Sequence, residues 1–582
     1  ETKDIILRAF SPHVSILASE DTEELIRHKG IHGGLLELLR PFGNHVPGKV
    51  TIRDSTGASR SWEDFAIRFV GVKDGLENPR ASTPNDRTSD VPQVEELVER
   101  HLTFSEEQSG PFQQPDYLNF KEASANTTSP TDPSPFYLLY LRRLLSGLPL
   151  VPSETLSHPI ASIIAISSRS QSPIEDLRTL YASSNTGSHR LPHWVHNEFL
   201  RYYVLIHDED YDDMNKSMQL YEQMKRHFGL HCHLLRLRTV PAVSDSVDEV
   251  VRLGTGMEWM AAAEELAEIT RLENLEEEDD ANPNDDRGEE THTVLQPYVF
   301  ETDATNIRAF VREMVTQSLI PSMERASATW NDSVASRRRG LSGRFMSLSK
   351  RFTTFGGSGS YTNRTSSVPS LTSGSTGNYD SLQGFYRPDA PEATMRRLAD
   401  YSMMLRDWKL AQSTFEILGQ DFKTDKAWRY YAAANEMAAV ATLMAGGGAK
   451  EPKIRVDAVD QLLETAYYSY ITRASAPYYA LRTLLLAVEL LKLRGGGVGL
   501  EAAAKWAEKI LDDRLTGPVG AVLVMERIAS CYSERKNALT AEKSGEKQRK
   551  AAFWNVMACD AWLRLEKGTR AESCLEQATK LY

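Results

Sequence analysis

Two histidine clusters and a run of acids are the first candidates for chemistry in this 582-residue chain. "HRLPHWVH" brings His189, His193 and His196 close together, and "HFGLHCH" adds His227, His231, Cys232 and His233. Imidazoles and a thiolate can ligate zinc, but the four-ligand spacing of structural zinc sites is missing. Period-two alternation also sends His231 and His233 to one face of a strand and Cys232 to the other. Hydrogen-bonded structural histidines are therefore expected, and no metal site is assigned. "HDEDYDD", His207 to Asp213, falls where a strand ends, the place at which α/β proteins bind ligands, so its carboxylates could hold a divalent cation. Acids at such a position also cap a following helix, and capping of a helix that begins near Met214 is the expected role.

Phosphate chemistry needs a backbone cradle, and no GxxxxGK[ST] segment occurs in the chain. The glycine runs at Gly446 and Gly495 lie between helical patterns and are expected as turns, since a dinucleotide site needs a strand in front of it. No nucleophile is marked by a GxSxG turn. No catalytic residue and no cofactor is assigned, and the chain is expected not to be an enzyme. A nucleotide-binding regulatory enzyme built on the first-half sheet is the alternative.

The third constellation is "RRRGLSGRFMSLSKRFTTFGG", Arg337 to Gly357. It lies within a stretch from Ser333 to Tyr379 that holds no Asp or Glu, in a protein of net charge −13. At about 100° per residue, Leu341, Phe345, Leu348, Phe352 and Phe355 share an arc of roughly 80°. Arg344 and Arg351 flank that stripe on one side, Ser342 and Ser349 on the other, and Lys350 lies opposite. Arg337, Arg338 and Arg339 precede it. Its glycines and hydroxyl residues disfavour helix in water, so folding should await an apolar surface. A helix packed on the protein's own core, a helix for a partner's groove and a helix lying on a membrane all fit the stripe. Aromatics, clustered arginine and a Gly/Ser tether suit an anionic or loosely packed membrane best. No nucleic-acid partner is expected, because the acidic whole repels phosphates.

The elements that would position these residues change character along the chain. "HVSILAS", "KVTIRD" and "FAIRFVGV" read as strands, and later "IASIIAIS", "RYYVLIHD" and "CHLLRLR" alternate with helical patterns. Near-continuous apolar strands separated by helices predict a parallel sheet covered on both faces. "FYLLYLRRLLSGLPL" reads as an amphipathic helix. Residues about 76–92, 105–135 and 273–292 read as disordered inserts, the last containing the acidic run "RLENLEEEDDANPNDDRGEE". A long helix follows with Ile307, Phe310, Val311 and Met314 on one stripe and a bend at Pro321. Beyond about Ala390 only helices are expected. "LADYSMMLRDWKLAQSTF" turns at Arg406 to Trp408, and the last pair places Ala571, Leu575 and Ala578 where a tetratricopeptide-like helix would pack.

The fold expectation is thus a mixed or parallel-sheet α/β domain, GTPase-like without a P-loop, over 1–336. The amphipathic helix and Gly/Ser/Thr-rich linker follow over 337–385, and an α-solenoid over 386–582. Composition is ordinary for a globular protein, with 41% hydrophobic and 25% charged residues. Four cysteines without a CxxC pair fit a reducing compartment. No apolar run reaches the length of a spanning helix. A start at Glu1 and an end inside a running helical pattern suggest a fragment.

"FSPHVSILASEDTEELIRHKG", "HWVHNEFLRYYVLIHDEDYDDMNKSMQLYEQMKRHFGLHCHLLRLR" and "LADYSMMLRDWKLAQSTFEILGQDFKTDKAWRYYAAANEMAA" resemble the large subunit specific to the transport protein particle III (TRAPP III) complex. The likeness covers most of the chain outside the polar inserts, and composition suggests a fungal member. It implies a non-catalytic subunit of a multisubunit Rab guanine nucleotide exchange factor in ER-to-Golgi and autophagic traffic. Exchange would be carried out by smaller subunits. The implied partners are other TRAPP subunits, through the solenoid and the α/β domain, a Rab GTPase through the complex, and a membrane. The implied location is cytoplasmic and peripheral to Golgi, pre-autophagosomal and ER-derived membranes. The resemblance also implies an amphipathic membrane-binding helix, a role that Leu341, Phe345, Leu348, Phe352 and Phe355 match.

Overall fold

The apolar strands do assemble into one parallel sheet. The computed structural model describes residues 2–72, 74, 76, 90–107, 133–146, 151–154, 159–184, 186, 190–242, 249–253, 256–281, 298–335, 378–445, 455–494, 496–533 and 541–581. Strands β1 (His13–Ala18), β4 (Arg68–Gly71), β5 (Ala161–Ser167), β6 (Leu200–Asp208) and β7 (Cys232–Leu237) pair in the order β4-β1-β5-β6-β7, every pair parallel. The segment "KVTIRD" does not join them. Its strand β2 (Val50–Arg53) forms an antiparallel hairpin with β3 (Ser59–Trp62), because the Asp54 carboxylate gathers the Thr56 and Ala58 amides into a tight turn.

Alternation along the strands assigns the two faces. Ile163, Ala165, Tyr202, Val204 and Ile206 pack with Leu25, Leu35, Leu38, Ile307 and Phe310 from helices Glu20–His28, Gly34–Gly43 and Glu301–Glu313. Ile164, Ile166, Tyr203 and Leu205 face Leu177 and Met224 from helices Pro173–Ser183 and Met214–Phe228. Both faces are covered, as near-continuous apolar strands require. The stripe Ile307, Phe310, Val311 and Met314 is fully buried. The expected bend at Pro321 is taken up by a π-helical turn over Met314–Leu319, which loosens the ladder where proline has no amide to give and would crowd the preceding turn.

After Ala390 the described elements are helices. Pro391–Met404, Trp408–Thr424, Trp428–Met444 and Val456–Tyr468 come first, and Pro477–Arg494, Gly496–Asp512, Pro518–Ser533, Ala541–Arg564 and Gly568–Leu581 complete the set. Each packs against the next in chain order. The first turn falls at Arg406, held at φ 59°, where Arg406 Nη1 donates to Asp64 at 2.6 Å.

Helices from the first half join this succession rather than the sheet. Thr2–Ala9, Asp90–Glu107 and Pro135–Leu144 contribute Ile6, Leu97, Val98, Tyr137 and Tyr140 to one apolar core with Leu484, Leu491 and Val522. Pro135–Leu144 is therefore buried on every side, not amphipathic as its pattern suggested, and even Arg142 and Arg143 are enclosed. Arg143 survives burial because Glu265 accepts from its Nε at 2.6 Å and Glu258 O from its Nη1 at 2.9 Å.

Three further expectations are revised at their edges. Residues 90–92 and 105–107 belong to helix Asp90–Glu107, and the acidic run is helical through Ala281, since glutamates are good helix formers once the chain enters the helix at Ala262. Residues 133–135 lead into helix Pro135–Leu144, and the remainder of the inserts, 77–89, 108–132 and 282–292, lies outside the described residues. Leu575 does not pack: it is 50% exposed, whereas Ala571, Cys574 and Ala578 form the buried stripe of that helix.

Candidate functional site

The sheet's topology points to one place for a ligand. With the hairpin set aside, the strand order is second, first, third, fourth, fifth, the doubly wound order whose crevice opens past the carboxyl ends of the first and third strands. That crevice is closed by its own backbone. A single residue, Ser19, separates β1 from helix Glu20–His28, and its amide donates to Ala165 O at 3.0 Å. Glu20, Asp21 and Glu23 then fill the first helical turn, putting carboxylates where a phosphate would need amides and cations. At this junction the sheet thus presents acids in place of a phosphate cradle.

The acids of "HDEDYDD" are consumed by the chain itself. Asp208 is fully buried and accepts from Arg169 Nη2. Asp210 accepts from the amides of Thr239 at 2.8 Å and Val240 at 3.1 Å. Burial raises its pKa, but these amides and Arg238 outweigh it and leave the carboxyl below its usual value. Asp212 accepts from Ser168 Oγ, and Asp213 caps helix Met214–Phe228 by accepting from the Asn215 amide at 2.9 Å. Capping is thus the observed role, and the run acts as a clamp on the loops at the sheet's carboxyl edge.

The histidines behave as structural groups. His231 Nδ1 lies 2.8 Å from Ser318 Oγ, and His233 Nδ1 lies 3.2 Å from Glu313 Oε2, both on the face covered by the long helix. Cys232 points to the opposite face, where burial pushes its thiol up to about 11. His193 and His227 are exposed, and His189 lies outside the described residues. Among the described residues no group of three His, Cys, Asp or Glu side chains is arranged for a metal ion.

All the residues of the amphipathic stripe, Leu341, Phe345, Leu348, Phe352 and Phe355, lie outside the described residues. So do the cations Arg337, Arg338, Arg339, Arg344, Lys350 and Arg351. The flanks of this segment are described, and they converge. On the leading side Trp330 packs edge-on against Tyr401 with ring centroids 5.0 Å apart. On the returning side Asn378 Nδ2 donates to Glu392 Oε2 at 2.8 Å. Glu392 and Tyr401 belong to one helix, Pro391–Met404, so residues on both sides of segment 336–377 pack on the same helix. Among the described residues no helix is long and apolar enough to cross a membrane.

That helix lies along a seam where segments from the first half of the chain meet the helices after Ala390, which pattern reading missed. Tyr137 Oη donates to Glu489 Oε1 at 2.7 Å, and Glu489 also accepts from Arg527 at 2.6 Å. Arg482 Nη1 donates to Glu154 at 2.7 Å and Tyr478 Oη to Leu144 O at 2.7 Å. Glu95 accepts from Thr516 Oγ1 at 2.7 Å. The signal available was charge inside otherwise apolar helices: Arg482 and Glu489 sit within "YYALRTLLLAVELL" and need partners that the same helix cannot supply.

Sequence comparison agrees with this arrangement. The family TRAPPC-Trs85, described as the ER-Golgi trafficking TRAPP I complex 85 kDa subunit, matches residues 6–495. Transport protein particle subunit trs85-2 of Schizosaccharomyces pombe is 30% identical, the match covering 100% of this chain and 88% of the relative. Trafficking protein particle complex III-specific subunit 85 of Saccharomyces cerevisiae is 25% identical over 74% of this chain and 65% of its own length. Human trafficking protein particle complex subunit 8 is 25% identical, with 100% of this chain matching 41% of it. With the family match running from the sheet into helix Pro477–Arg494, the chain belongs to the TRAPPC-Trs85 family of large TRAPP subunits.

Proposed function

We propose that this chain is the non-catalytic scaffold and membrane-targeting subunit of a multisubunit tethering complex and Rab guanine nucleotide exchange factor, acting in ER-to-Golgi and autophagic vesicle traffic. In this reading exchange is performed by other subunits, and the chain reaches the Rab GTPase only through the complex. The units are the α/β domain of 1–336, the anchor and linker of 337–385 and the helical array of 386–582, which acts as a solenoid surface for fellow subunits. The chain is cytoplasmic and peripheral to Golgi, pre-autophagosomal and ER-derived membranes.

The observation that carries the targeting role is the acid-free segment with both flanks fastened to helix Pro391–Met404. A segment whose two flanks pack on one helix can reach a bilayer without disturbing the rest of the protein. Leu341, Phe345, Leu348, Phe352 and Phe355 enter the interface, and Arg337, Arg338, Arg339, Arg344, Lys350 and Arg351 face anionic headgroups, each cation adding about 1 kcal/mol. Replacing Phe345, Leu348 and Phe352 by Asp abolishes flotation with vesicles of phosphatidylcholine and phosphatidylserine, and leaves the melting temperature unchanged. Unaltered flotation with a normal melting temperature overturns the membrane role; loss of folding assigns the segment to the protein's own core instead.

A further inference from the structure

Helix Ala541–Arg564 packs on its neighbours through a buried side that includes Ala551, Ala558 and Trp562. Its opposite side is apolar as well. At about 100° per residue Phe553, Val556, Met557 and Leu563 fall within an arc of roughly 120°. All four are exposed, Phe553 by 57% and Leu563 by 60%. Asp560 and Arg564 share the arc but neutralise each other, Arg564 Nη2 lying 2.7 Å from Asp560 Oδ2. Single exposed apolar residues need no explanation, whereas four on one face of a helix mark a surface that something covers.

The chain carries a candidate cover fastened beside this face. Helix Ala541–Arg564 turns into Gly568–Leu581, and at that turn residues 108–132 leave and rejoin the described chain. On the leaving side Thr103 Oγ1 accepts from Lys567 Nζ at 2.6 Å, and Glu106 Oε1 from the Thr569 amide at 3.1 Å. On the returning side the Arg570 guanidinium lies 5.6 Å from the Phe136 ring. Thr569 and Arg570 are consecutive, so both flanks of the insert are held at the start of one helix. Leu563 belongs to the last turn before it, and Phe553 lies about 15 Å further along the same helix.

The insert holds side chains suited to such a face. Much of it is Ser, Thr, Asn, Gln and Pro, but "PFQQPDYLNF", Pro111 to Phe120, concentrates Phe112, Tyr117, Leu118 and Phe120 around a single charge, Asp116. From Glu106 to Phe112 an extended chain spans up to about 20 Å, enough to reach any part of the face. Pro111 and Pro115 disfavour a helix and suit an extended stretch. With both flanks already side by side, laying the loop on the adjacent helix adds little closure entropy, and the rings bury apolar surface.

We propose that residues 111–120 dock on the outward face of helix Ala541–Arg564, with Phe112, Tyr117, Leu118 and Phe120 covering Phe553, Val556, Met557 and Leu563. The insert then caps this part of the helical array and withdraws the face from other polypeptides and from self-association. The inference is independent of the membrane reading.

The test places a photo-cross-linker on the face, Phe553→p-benzoylphenylalanine in the full chain, and locates the linked residues by mass spectrometry after irradiation at low micromolar concentration. The link forms within one chain, to residues 111–120. Replacing Phe112, Tyr117, Leu118 and Phe120 together by Ser lowers its yield tenfold or more. If that variant does not fold, Phe553→Asp serves: it changes an exposed position and speeds chymotryptic cleavage after Tyr117 tenfold or more. Absence of a link to 111–120, an undiminished link in the folded serine variant, or unchanged cleavage in a folded Phe553→Asp overturns the proposal. So does a link between light and heavy isotope-labelled chains mixed before irradiation, since the occupant is then a second copy.

Discussion

The carboxyl edge of the sheet and a pocket on the seam, beside helix Pro391–Met404, are both concave and both rich in charge, yet they differ in how that charge is met. At the sheet edge Asp208, Asp210, Asp212 and Asp213 each accept from a donor of the same chain. In the pocket Arg397 has only carbonyl, hydroxyl and aromatic partners, and two neighbouring donors have none. A cluster that satisfies itself holds loops in place and leaves little to offer a ligand. A cluster with donors left over is stable only because the surrounding packing tolerates them. Location at the end of a parallel sheet is thus a weaker guide to function here than the balance of donors and acceptors.

The strongest way to break that contrast is to unbalance a closed cluster. Glu489 accepts from both Tyr137 and Arg527, and its carboxyl stays below the usual value because the neighbouring Arg527 outweighs the opposing effect of burial. Glu489→Ala takes from the buried Arg527 the carboxylate that accepts from it, and chemical denaturation should show a loss of about 3–5 kcal/mol. A loss below about 1 kcal/mol would mean that the surrounding groups compensate Arg527 without Glu489, and the contrast between the two clusters would fail. The sheet edge should respond less. Asp208→Ala frees Arg169, which is partly exposed and can turn to water, so about 1–3 kcal/mol is expected. A loss as large as that of Glu489→Ala would show that the sheet edge is no more forgiving than the seam.

Legibility followed the same division. The parallel sheet was readable because strands buried on both faces leave continuous apolar runs such as "IASIIAIS", and the cap at Asp213 because capping depends on near neighbours. The hairpin partner of "KVTIRD" was not, since "SRSW" is polar and exposed, and its pairing depends on the turn at Asp54. The seam was hidden for a different reason. Tyr137 meets Glu489, and Arg482 meets Glu154, across several hundred residues of sequence, so local periodicity carries no trace of them. Arg396 and Arg397 stood in plain view in "ATMRRLADYSMM", but an arginine pair on a helix is ordinarily solvated. Only the fold shows that Arg396 is enclosed and Arg397 partly so.

Acid should sharpen the comparison most gently. His196 lines the pocket, whereas His231 and His233 lie in closed contacts with Ser318 and Glu313. Desolvation lowers the pKa of all three, Arg397 adding to the effect at His196 and Arg325 at His231, while Glu313 opposes it at His233. A depressed histidine pKa means that the unfolded chain binds the proton more readily. The stabilising contribution is therefore complete above the unfolded value of about 6.5 and is lost as pH falls through the lower folded values. Melting temperature should drop between pH 7.5 and pH 5, and His196→Gln or His231→Gln should each reduce that drop slightly.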